Sequence, residues 1–482
     1  MNNKVSSGLF WSYGERILAQ LVSFIVSLVL ARLIAPENFG VVSLVMIFID
    51  ICNVFVTSGL GTGLIQKKDT DDIDFSTVFW LSLSLGVCLY LLIFFCAPVI
   101  QHFFGYSELT VVIRVMGLRL ILASINTIQH AYVSRKMIFK KFFFATLIGT
   151  VISAIIGIYL AQKGFGVWAI VVQYLCNTTI DTIVLFFTID WRPRFIFKFE
   201  RLGYFIRFGW KVLAASLIDN IYTNLRSLVI GKRYTSADLA YYNKGIQFPA
   251  IIVTNINSSI ARVMFPVMSV DQNDKQKLRN TMKRSVEVSA YILSPLLVGL
   301  IVVSRPVVIL ILTEKWLECV KYMYVFSITY LFMPIHALNE QAIKATGHSE
   351  VSLKVEIVKK VFGILLIVVA VLWLDNAFAL ALSFFAYSLI ALVINAMPGK
   401  RLYDYGWAEQ LKDVSLPLGI SLIMGVVIYP LSIFIESNLL LILAQVIMGG
   451  LTYIGFSALL KFKTYCYLLS RAKQIISARK AK

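Results

Sequence analysis

Hydrophobic residues occupy most of this chain in long blocks, which is the pattern of membrane-spanning segments rather than of half-buried strands. Blocks such as 17–30, 361–374 and 439–460 approach the roughly 20 residues that cross about 30 Å of hydrocarbon. Charged and turn-forming residues separate the blocks, so the pattern predicts an all-α membrane protein with about fourteen transmembrane helices. The predicted helices lie near residues 9–34, 39–63, 76–101, 109–131, 142–162, 166–188, 203–231, 238–265, 284–312, 317–342, 355–374, 377–397, 413–434 and 438–460.

Composition and charge placement agree with a membrane protein. Of 482 residues, 59% are hydrophobic and 15% charged, whereas soluble domains are closer to half and a quarter. The net charge of +19 is divided among short basic clusters between the apolar blocks, a placement that orients membrane proteins and gives little support to nucleic-acid binding. The clusters lie in alternate links, at 67–68, 135–141, 192–201, 275–284, 354–360 and 400–401. This alternation predicts that both termini are cytoplasmic. The opposite links are short, which disfavours a membrane glycosyltransferase or polymerase.

A sequence repeat relates the two halves of the chain. The segment SLVLAR at 27–32 recurs as SLVIGK at 227–232, an offset of 200 that also pairs Ser58 with Ser258. Six predicted helices separate the copies, so the halves are parallel repeats, which place a site between them near the membrane midplane. Chance similarity among Leu, Val and Ser is the alternative. The predicted domains are an N-lobe of six helices (1–202), a C-lobe of six helices (203–400), two further helices (401–460) and a basic cytoplasmic tail (461–482).

Polar residues recur on one face of two equivalent helices. They are Ser12, Arg16, Gln20, Ser23 and Ser27 in the first predicted helix, and Ser216, Asp219, Asn220, Thr223, Arg226 and Ser227 in the seventh. Unpaired polar groups in lipid cost several kcal/mol, so both faces are expected to line a protein interior or a water-filled cavity. Hydrogen bonding between packed helices explains the Ser and Thr positions equally well.

Ionisable residues at membrane depth usually mark a transport pathway, because each costs at least a few kcal/mol there. Guanidinium groups stay ionised and bind phosphate in a bidentate manner, so the arginines are candidates for binding an anionic head group, with a structural ion pair as the alternative. Amide and tyrosine side chains in the same cavity could contact sugars. The candidate substrate-binding residues are Arg119, Arg226, Arg262, Arg16, Arg114, Gln20, Asn53, Asn220, Tyr222 and Asn255.

Three aspartates are candidates for coupling transport to a proton or Na⁺ gradient: Asp50, Asp219 and Asp181. For each, a counter-ion role beside an arginine is the alternative. His336 is either a proton relay or a satisfied interior histidine, and we favour the latter. The sequence contains no P-loop, G-x-S-x-G or HExxH motif, and its six cysteines form no CxxC pair. We therefore expect no catalytic residue, no cofactor and no metal site.

Several short motifs resemble one transporter family. They are FWS at 10–12, ARL at 31–33, PENFG at 36–40, GTGLIQKKD at 61–69, STVFW at 76–80, GFGVWA at 164–169 and VMFPVMS at 263–269. They resemble the polysaccharide transporter family of the multidrug, oligosaccharidyl-lipid and polysaccharide exporter superfamily. Within it, the chain is most similar to exporters of colanic-acid and lipopolysaccharide (O-antigen) repeat units, over about its first 400 residues.

The resemblance implies two six-helix lobes of the multidrug and toxin extrusion (MATE) type around a cationic cavity. It also implies a flippase in a bacterial inner (cytoplasmic) membrane that moves an undecaprenyl-pyrophosphate-linked oligosaccharide by alternating access, for O-antigen, exopolysaccharide or capsule synthesis. The expected partners are this lipid-linked cargo, membrane lipids, and polysaccharide polymerase and chain-length machinery. Ion-coupled drug or metabolite antiport of the MATE type is the alternative. It is disfavoured because cation exporters favour acidic cavities, whereas the deep residues here include arginines.

Overall fold

Long apolar segments in hydrocarbon must satisfy their backbone N–H and C=O groups internally, and a helix does so within one segment. In the computed structural model, every regular element among the described residues is helical. The structure describes residues 3–480, together with their side chains except those of residues 3–13, 15–17, 208, 261–262, 472–473 and 475–480. The chain divides into two compact units, Met1–Ala240 and Tyr241–Lys482.

The first unit is a bundle in which α5 packs against α2, α4 and α7, while α6 packs against α1 and α7. Its helices are α1 (Asn3–Leu33), α2 (Pro36–Thr57), α3 (Leu60–Gln66), α4 (Asp72–Phe104), α5 (Leu109–Lys136), α6 (Phe139–Gln162), α7 (Val167–Thr188) and α8 (Phe199–Arg233). Local sequence sets several of the boundaries. Proline stands at the start of α2, and α4 begins with a capping box formed by Asp71 and Asp74.

Glycine allows α8 to approach the link between α2 and α3. Gly59 has a φ of 100°, and a Cβ atom there would lie 2.6 Å from the carbonyl oxygen of Gly209 on α8. A side chain at residue 59 would therefore clash with the backbone of Gly209, and it would also be strained by the positive φ. Gly59 separates α2 from α3 within the segment that was predicted as one helix over 39–63, and the two helices together form one candidate span, Pro36–Gln66.

In the second unit, α10 packs against α11, α12, α15 and α17. Helix α9 (Ser236–Val270) begins in the first unit and continues into the second. The remaining helices are α10 (Lys275–Ile311), α11 (Cys319–Tyr330), α12 (Met333–Ala345), α13 (Ser349–Val369), α14 (Ala377–Tyr403), α15 (Trp407–Ile428), α16 (Leu431–Phe434), α17 (Asn438–Leu459) and α18 (Lys463–Lys480), with a 3-10 turn at Glu314–Trp316 and a π-helical turn at Ala370–Leu374.

The predicted all-α membrane fold is confirmed, and each of the fourteen predicted segments coincides with helical structure. Within the described residues, eleven helices are long and apolar enough to cross a membrane. The predicted first, seventh and tenth segments are not among them. The apolar part of α1 is short, α8 is rich in charged residues, and the tenth segment is divided into α11 and α12. The exact count of fourteen therefore stays a prediction. The structure also contains α18 where a basic tail was predicted.

Helix boundaries follow the sequence repeat. Helix α1 ends at residue 33 and α2 begins at 36, while α8 ends at 233 and α9 begins at 236, the same offset of 200. The compact units do not follow it, because α8 packs against α2, α3 and α4 and so belongs to the first unit. The repeat identifies helices that are equivalent in sequence, whereas the compact units group helices that are in contact. The division into lobes at residues 202 and 203 stays a prediction.

Candidate functional site

One polar cluster in the first unit surrounds Arg119 in the middle of α5. The Nε atom of Arg119 donates to Thr178 Oγ1 at 3.3 Å, and its Nη1 atom lies 3.1 Å from Met46 Sδ. Its guanidinium carbon lies 5.2 Å from the ring centre of Tyr174. Asp50 on α2 interacts with it electrostatically. These residues, which we call the Arg119 cluster, hold the guanidinium among α2, α5 and α7 instead of leaving it to lipid.

A second cluster lies between α5, α6 and α7. Asn126 Nδ2 donates to Asp181 Oδ2 at 2.7 Å and to Thr182 Oγ1 at 3.2 Å. Thr146 Oγ1 donates to Asp181 Oδ1 at 3.4 Å, and His130 Nε2 lies 3.5 Å from Asp181 Oδ2. We call these five residues the Asp181 cluster. It brings a carboxylate, an imidazole and neutral hydrogen-bond donors together at membrane depth.

Helix α6 approaches this second cluster closely because it carries a glycine there. A Cβ atom on Gly149 would lie 3.1 Å from the carbonyl oxygen of Asn177 and 3.3 Å from the amide nitrogen of Asp181. The absent side chain allows the backbones of α6 and α7 to approach each other. Thr146, one turn away on α6, is thereby placed within reach of the carboxylate.

The other predicted residues at the start of the chain have different surroundings. Arg114 donates through Nε to the carbonyl oxygen of Phe94 at 3.3 Å and stacks 4.3 Å from that ring, which ties α5 to α4. Asn53 Oδ1 is buried and has no hydrogen-bond partner in the described part of the chain. Gln20 is half-buried on α1, and the side chain of Arg16 lies outside the described residues.

Helix α8 carries four predicted site residues. Arg226 is only 3% exposed, and its guanidinium carbon lies 5.9 Å from the ring centre of Tyr222. Asn220 Oδ1 accepts a hydrogen bond of 3.1 Å from Asn224, whereas Asp219 is exposed. The structure thus places the buried arginine and the tyrosine one helical turn apart on α8.

The second unit contains two predicted site residues and the candidate histidine. Asn255 is exposed, and its Nδ2 atom donates to the backbone oxygen of Ile251 at 3.2 Å; the side chain of Arg262 lies outside the described residues. His336 Nε2 lies 3.2 Å from Ser388 Oγ, and its Nδ1 atom lies 3.0 Å from Asn395 Nδ2. Both ring nitrogens are therefore occupied, as expected of a satisfied interior histidine.

Sequence reasoning missed the neutral partners in both clusters. It singled out charged residues, so Met46, Tyr174 and Thr178 were not identified, and His130 was left without a role. The sequence did contain a pattern that indicates the Asp181 cluster. Asn126 and His130 are four residues apart on α5 and therefore share a face of an otherwise apolar helix.

An apolar groove of about 420 Å³ lies in the second unit among α9, α10, α15 and α17. Its lining is Ile252, Pro295, Leu296, Gly299, Leu300, Val303, Met424, Ile428, Gln445, Val446, Gly449, Gly450, Tyr453 and Ile454. Glycines at 299, 449 and 450 leave space along it, and Gln445 donates through Nε2 to the backbone of Ile428 at 3.3 Å. We call this the C-terminal groove. It is built partly by the two helices that lie outside the sequence repeat.

Comparison with known sequences gives a family and individual relatives. A family model described as "Polysaccharide biosynthesis protein" matches residues 29–321. The teichuronic acid biosynthesis protein TuaB of Bacillus subtilis (strain 168) is 25% identical over 80% of both chains. The lipopolysaccharide biosynthesis protein WzxC of Escherichia coli (strain K12) is 24% identical over 91% of this chain and 90% of its own. The succinoglycan biosynthesis transport protein ExoT of Rhizobium meliloti (strain 1021) is 22% identical over 65% of this chain and 63% of its own.

Solved structures share the fold. The lipid II flippase MurJ in an inward closed conformation superimposes with a TM-score of 0.76 at 16% identity, covering 94% of this chain and 98% of that one. An inward-facing multidrug resistance MATE family transporter superimposes with a TM-score of 0.62 at 15% identity, covering 80% of this chain and 95% of that one. The predicted MATE-like architecture is thereby confirmed.

Proposed function

Because the chain belongs to the polysaccharide biosynthesis protein family, we propose that it is a flippase that carries an undecaprenyl-pyrophosphate-linked oligosaccharide across the membrane. The membership confirms the resemblance drawn from the motifs. It also favours a polysaccharide precursor over a drug as the cargo. In this proposal the protein alternates access between the two leaflets and moves the cargo outward, without making or breaking a covalent bond.

The wider setting follows from the same proposal. The chain is a multi-pass membrane protein, and we place it in the bacterial inner membrane with both termini in the cytoplasm. The flipped repeat unit then becomes available to a polymerase and chain-length machinery for O-antigen, exopolysaccharide or capsule. A proton or Na⁺ gradient supplies the driving force in this scheme, with Asp50, Asp181 and Asp219 as the candidate ion-binding groups.

The C-terminal groove is the observation that best supports a lipid-linked cargo. Such a cargo combines an anionic sugar head with a long polyprenyl tail, and the tail must remain in apolar surroundings while the head crosses. The groove is almost wholly apolar and has open space at Gly450, where a Cβ atom would have no neighbour within 4 Å. We assign it to the tail. The candidate arginines, with the amide and tyrosine side chains predicted from the sequence, are assigned to the head.

Filling the groove tests this assignment. The Cβ atom of Gly450→Leu has no neighbour within 4 Å and the rest of the side chain extends into the groove, so the protein is expected to fold and the tail to lose packing. Gly455→Leu is the matched control, because this glycine on the same helix also has no neighbour within 4 Å but is not in the groove lining. A loss of about 1–2 kcal/mol of packing corresponds to roughly 5–30-fold slower transport.

Transport is measured in proteoliposomes with undecaprenyl pyrophosphate that carries one fluorescently labelled sugar. The groove variant should move this probe several-fold more slowly than both wild type and the control. Equal rates in all three proteins would remove the groove from the pathway. A wild-type protein that moves no polyprenyl-linked probe at all would contradict the flippase proposal itself.

A further inference from the structure

We propose that Asp181 and His130 form a proton-binding pair that couples transport to a proton gradient, an inference that rests on the transport function proposed above. The pair is built between α5, α6 and α7 of the first unit. Its loaded state holds one more proton than its empty state, with the imidazole Nε2 and the carboxylate Oδ2 as the two atoms between which the proton is held. Release of that proton restores the empty state.

Asp181 is well enclosed, whereas His130 reaches the edge of the bundle. The side chain of Asp181 is 13% exposed and that of His130 is 39% exposed. His130 lies less than two turns from the end of α5 at Lys136, where the basic cluster at 135–141 begins. Of the two groups, the histidine is thus the more exposed and lies nearer that end of α5, and the carboxylate is the more enclosed.

The distance between His130 and Asp181 is long enough to shorten when the pair gains a proton. The distance of 3.5 Å between His130 Nε2 and Asp181 Oδ2 exceeds that of an ordinary N–H···O hydrogen bond, and this nitrogen is buried without a hydrogen-bond partner in the described part of the chain. Contacts that act during a reaction cycle are often long in the resting protein and shorten later. Protonation of the imidazole would convert this long contact into a charge-assisted hydrogen bond.

A neighbouring amide is also left incomplete. Gln129 is 2% exposed and donates through Nε2 to the backbone oxygen of Thr182 at 3.3 Å. Its Oε1 atom is buried and accepts no hydrogen bond from any described residue. A buried acceptor without a donor is costly in a low-dielectric interior.

The chemistry of the cluster favours a proton over Na⁺. A hard cation is bound by several free oxygen atoms. Each oxygen of the Asp181 carboxylate already accepts one hydrogen bond, from the amide of Asn126 or the hydroxyl of Thr146, and keeps one further lone pair. That remaining capacity suits a single proton shared with His130 better than a cation that needs several free oxygens. Within the described residues, His130 is the sole cation-forming side chain within 4 Å of this carboxylate.

Other charged or titratable groups stand on the helices packed around the pair. Those with described side chains are Arg32 on α1; Glu37, Asp50 and Cys52 on α2; Asp72, Asp74, Cys88, Tyr90, Cys96 and His102 on α4; Arg114, Arg119, Tyr132, Arg135 and Lys136 on α5; Lys140, Lys141 and Tyr159 on α6; and Tyr174 and Cys176 on α7. Several of these have partners elsewhere. Arg119 donates to Thr178, Arg135 donates to backbone oxygens from Leu64 to Lys68, and Lys141 lies 3.6 Å from Asp190.

Two variants test the proton pair in the proteoliposomes described above, with a pH-sensitive dye inside the vesicles. In wild type, an imposed proton gradient should accelerate transport of the labelled probe and produce a dye response. Asp181→Asn should abolish both the acceleration by the gradient and the dye response. His130→Gln, at a half-exposed position, should fold and should shift the pH dependence of the rate.

Asn177→Ser is the matched control, because Asn177 lies one turn from Asp181 on α7 and contains no titratable group. Its amide donates to the hydroxyls of Thr150 and Ser153 on α6. This variant should keep the wild-type pH profile. An unchanged pH profile in His130→Gln, or stimulation of wild type by a Na⁺ gradient but not by a proton gradient, would overturn the inference.

Failure of the flippase proposal is distinguishable from failure of the pair. If wild type moves no probe, proton uptake by the purified protein still tests the site. Measured by proton uptake, His130→Gln should bind one proton fewer than wild type. Equal uptake would exclude a titrating pair at this position.

Discussion

The two units each bury a polar network among their helices, and the two networks differ in what they contain. In the second unit, Asn339, Tyr403 and Gln410 are fully buried and join α12, α14 and α15. Asn339 and Gln410 exchange hydrogen bonds of 2.8 and 3.1 Å, and the Tyr403 hydroxyl donates to Asn339 at 2.8 Å. We call these residues the Asn339 network. In the first unit, the Asp181 cluster contains a carboxylate and an imidazole.

The contrast shows how a polar network inside a membrane protein can serve structure or function. The Asn339 network has short mutual hydrogen bonds and no charge, so any change in one member leaves another without its partner. The Asp181 cluster has a long contact and groups that can gain or lose a proton. A network with every bond formed specifies one arrangement of helices, whereas one with an incomplete bond can respond to pH.

Removing an amide from the Asn339 network is expected to have the largest effect on stability. Asn339→Leu leaves the Gln410 Oε1 atom without its donor and the Tyr403 hydroxyl without its acceptor, at about 1–3 kcal/mol each, whereas Gln410 Nε2 keeps its bond to the Tyr405 backbone oxygen. The free energy of unfolding should fall by about 2–5 kcal/mol, measured by thermal unfolding in detergent. In Asn339→Leu with Gln410→Leu, part of this loss should be recovered because one unpaired group is also removed. A double variant less stable than the single variant would show that the two amides do not act as a pair.

In the first unit, the second-largest effect is expected on transport, when Arg119 is replaced. Arg119→Ala should slow transport by about 10–100-fold, the equivalent of one charge-assisted hydrogen bond of roughly 1.5–3 kcal/mol, while folded protein remains in the membrane. The measurement is the same vesicle assay. Because Asp50 interacts with this arginine, Asp50→Asn is combined with Arg119→Ala to remove the carboxylate left behind.

The double variant separates two roles for Arg119. If the guanidinium binds the anionic head of the cargo, transport stays slow in the double variant. Recovery of the wild-type rate would instead make Arg119 a counter-ion to Asp50. Arg226 on α8 is a second buried arginine, and Arg226→Ala is also expected to weaken export.

The smallest effect is expected at the exposed end of α4. Partial burial acts to raise the pKa of the Asp71 carboxyl, but a hydrogen bond from the Asp74 amide and the charges of Arg201 and Lys67 outweigh it, so the pKa is lowered. An unfolded aspartate has a pKa near 3.9, so the stabilisation is present above about pH 4 and is lost as the pH falls through the lower folded value. Asp71→Asn should flatten stability in this acid range.

The side chain of Asp71 is 46% exposed and its ion pair with Arg201 is screened by solvent, so the effect should stay below about 1 kcal/mol. Thermal unfolding between about pH 3 and 7 measures it. Arg201→Gln should change the acid branch in the same direction, because it removes the charge at 3.0 Å from Asp71. An acid branch that is identical in wild type and Asp71→Asn would contradict the assigned cause.

Much of the fold was predictable because hydropathy is a local property that can be read along one helix. The repeat at an offset of 200 predicted equivalent helices, and the boundaries at 33, 36, 233 and 236 follow it. The helix predicted through 39–63 is divided at Gly59, which meets the backbone of Gly209, a contact between segments far apart in sequence.

By itself, then, the sequence determined the membrane class, the helical segments and the family. Only the tertiary structure decided which side chains face one another: Arg119 with Met46 and Thr178, and Asp181 with His130 and, among the side chains that the structure describes, not with an arginine. The physical reason is that burial in lipid depends on how apolar each segment is, whereas a hydrogen bond depends on the rotation and spacing of two or three helices at once.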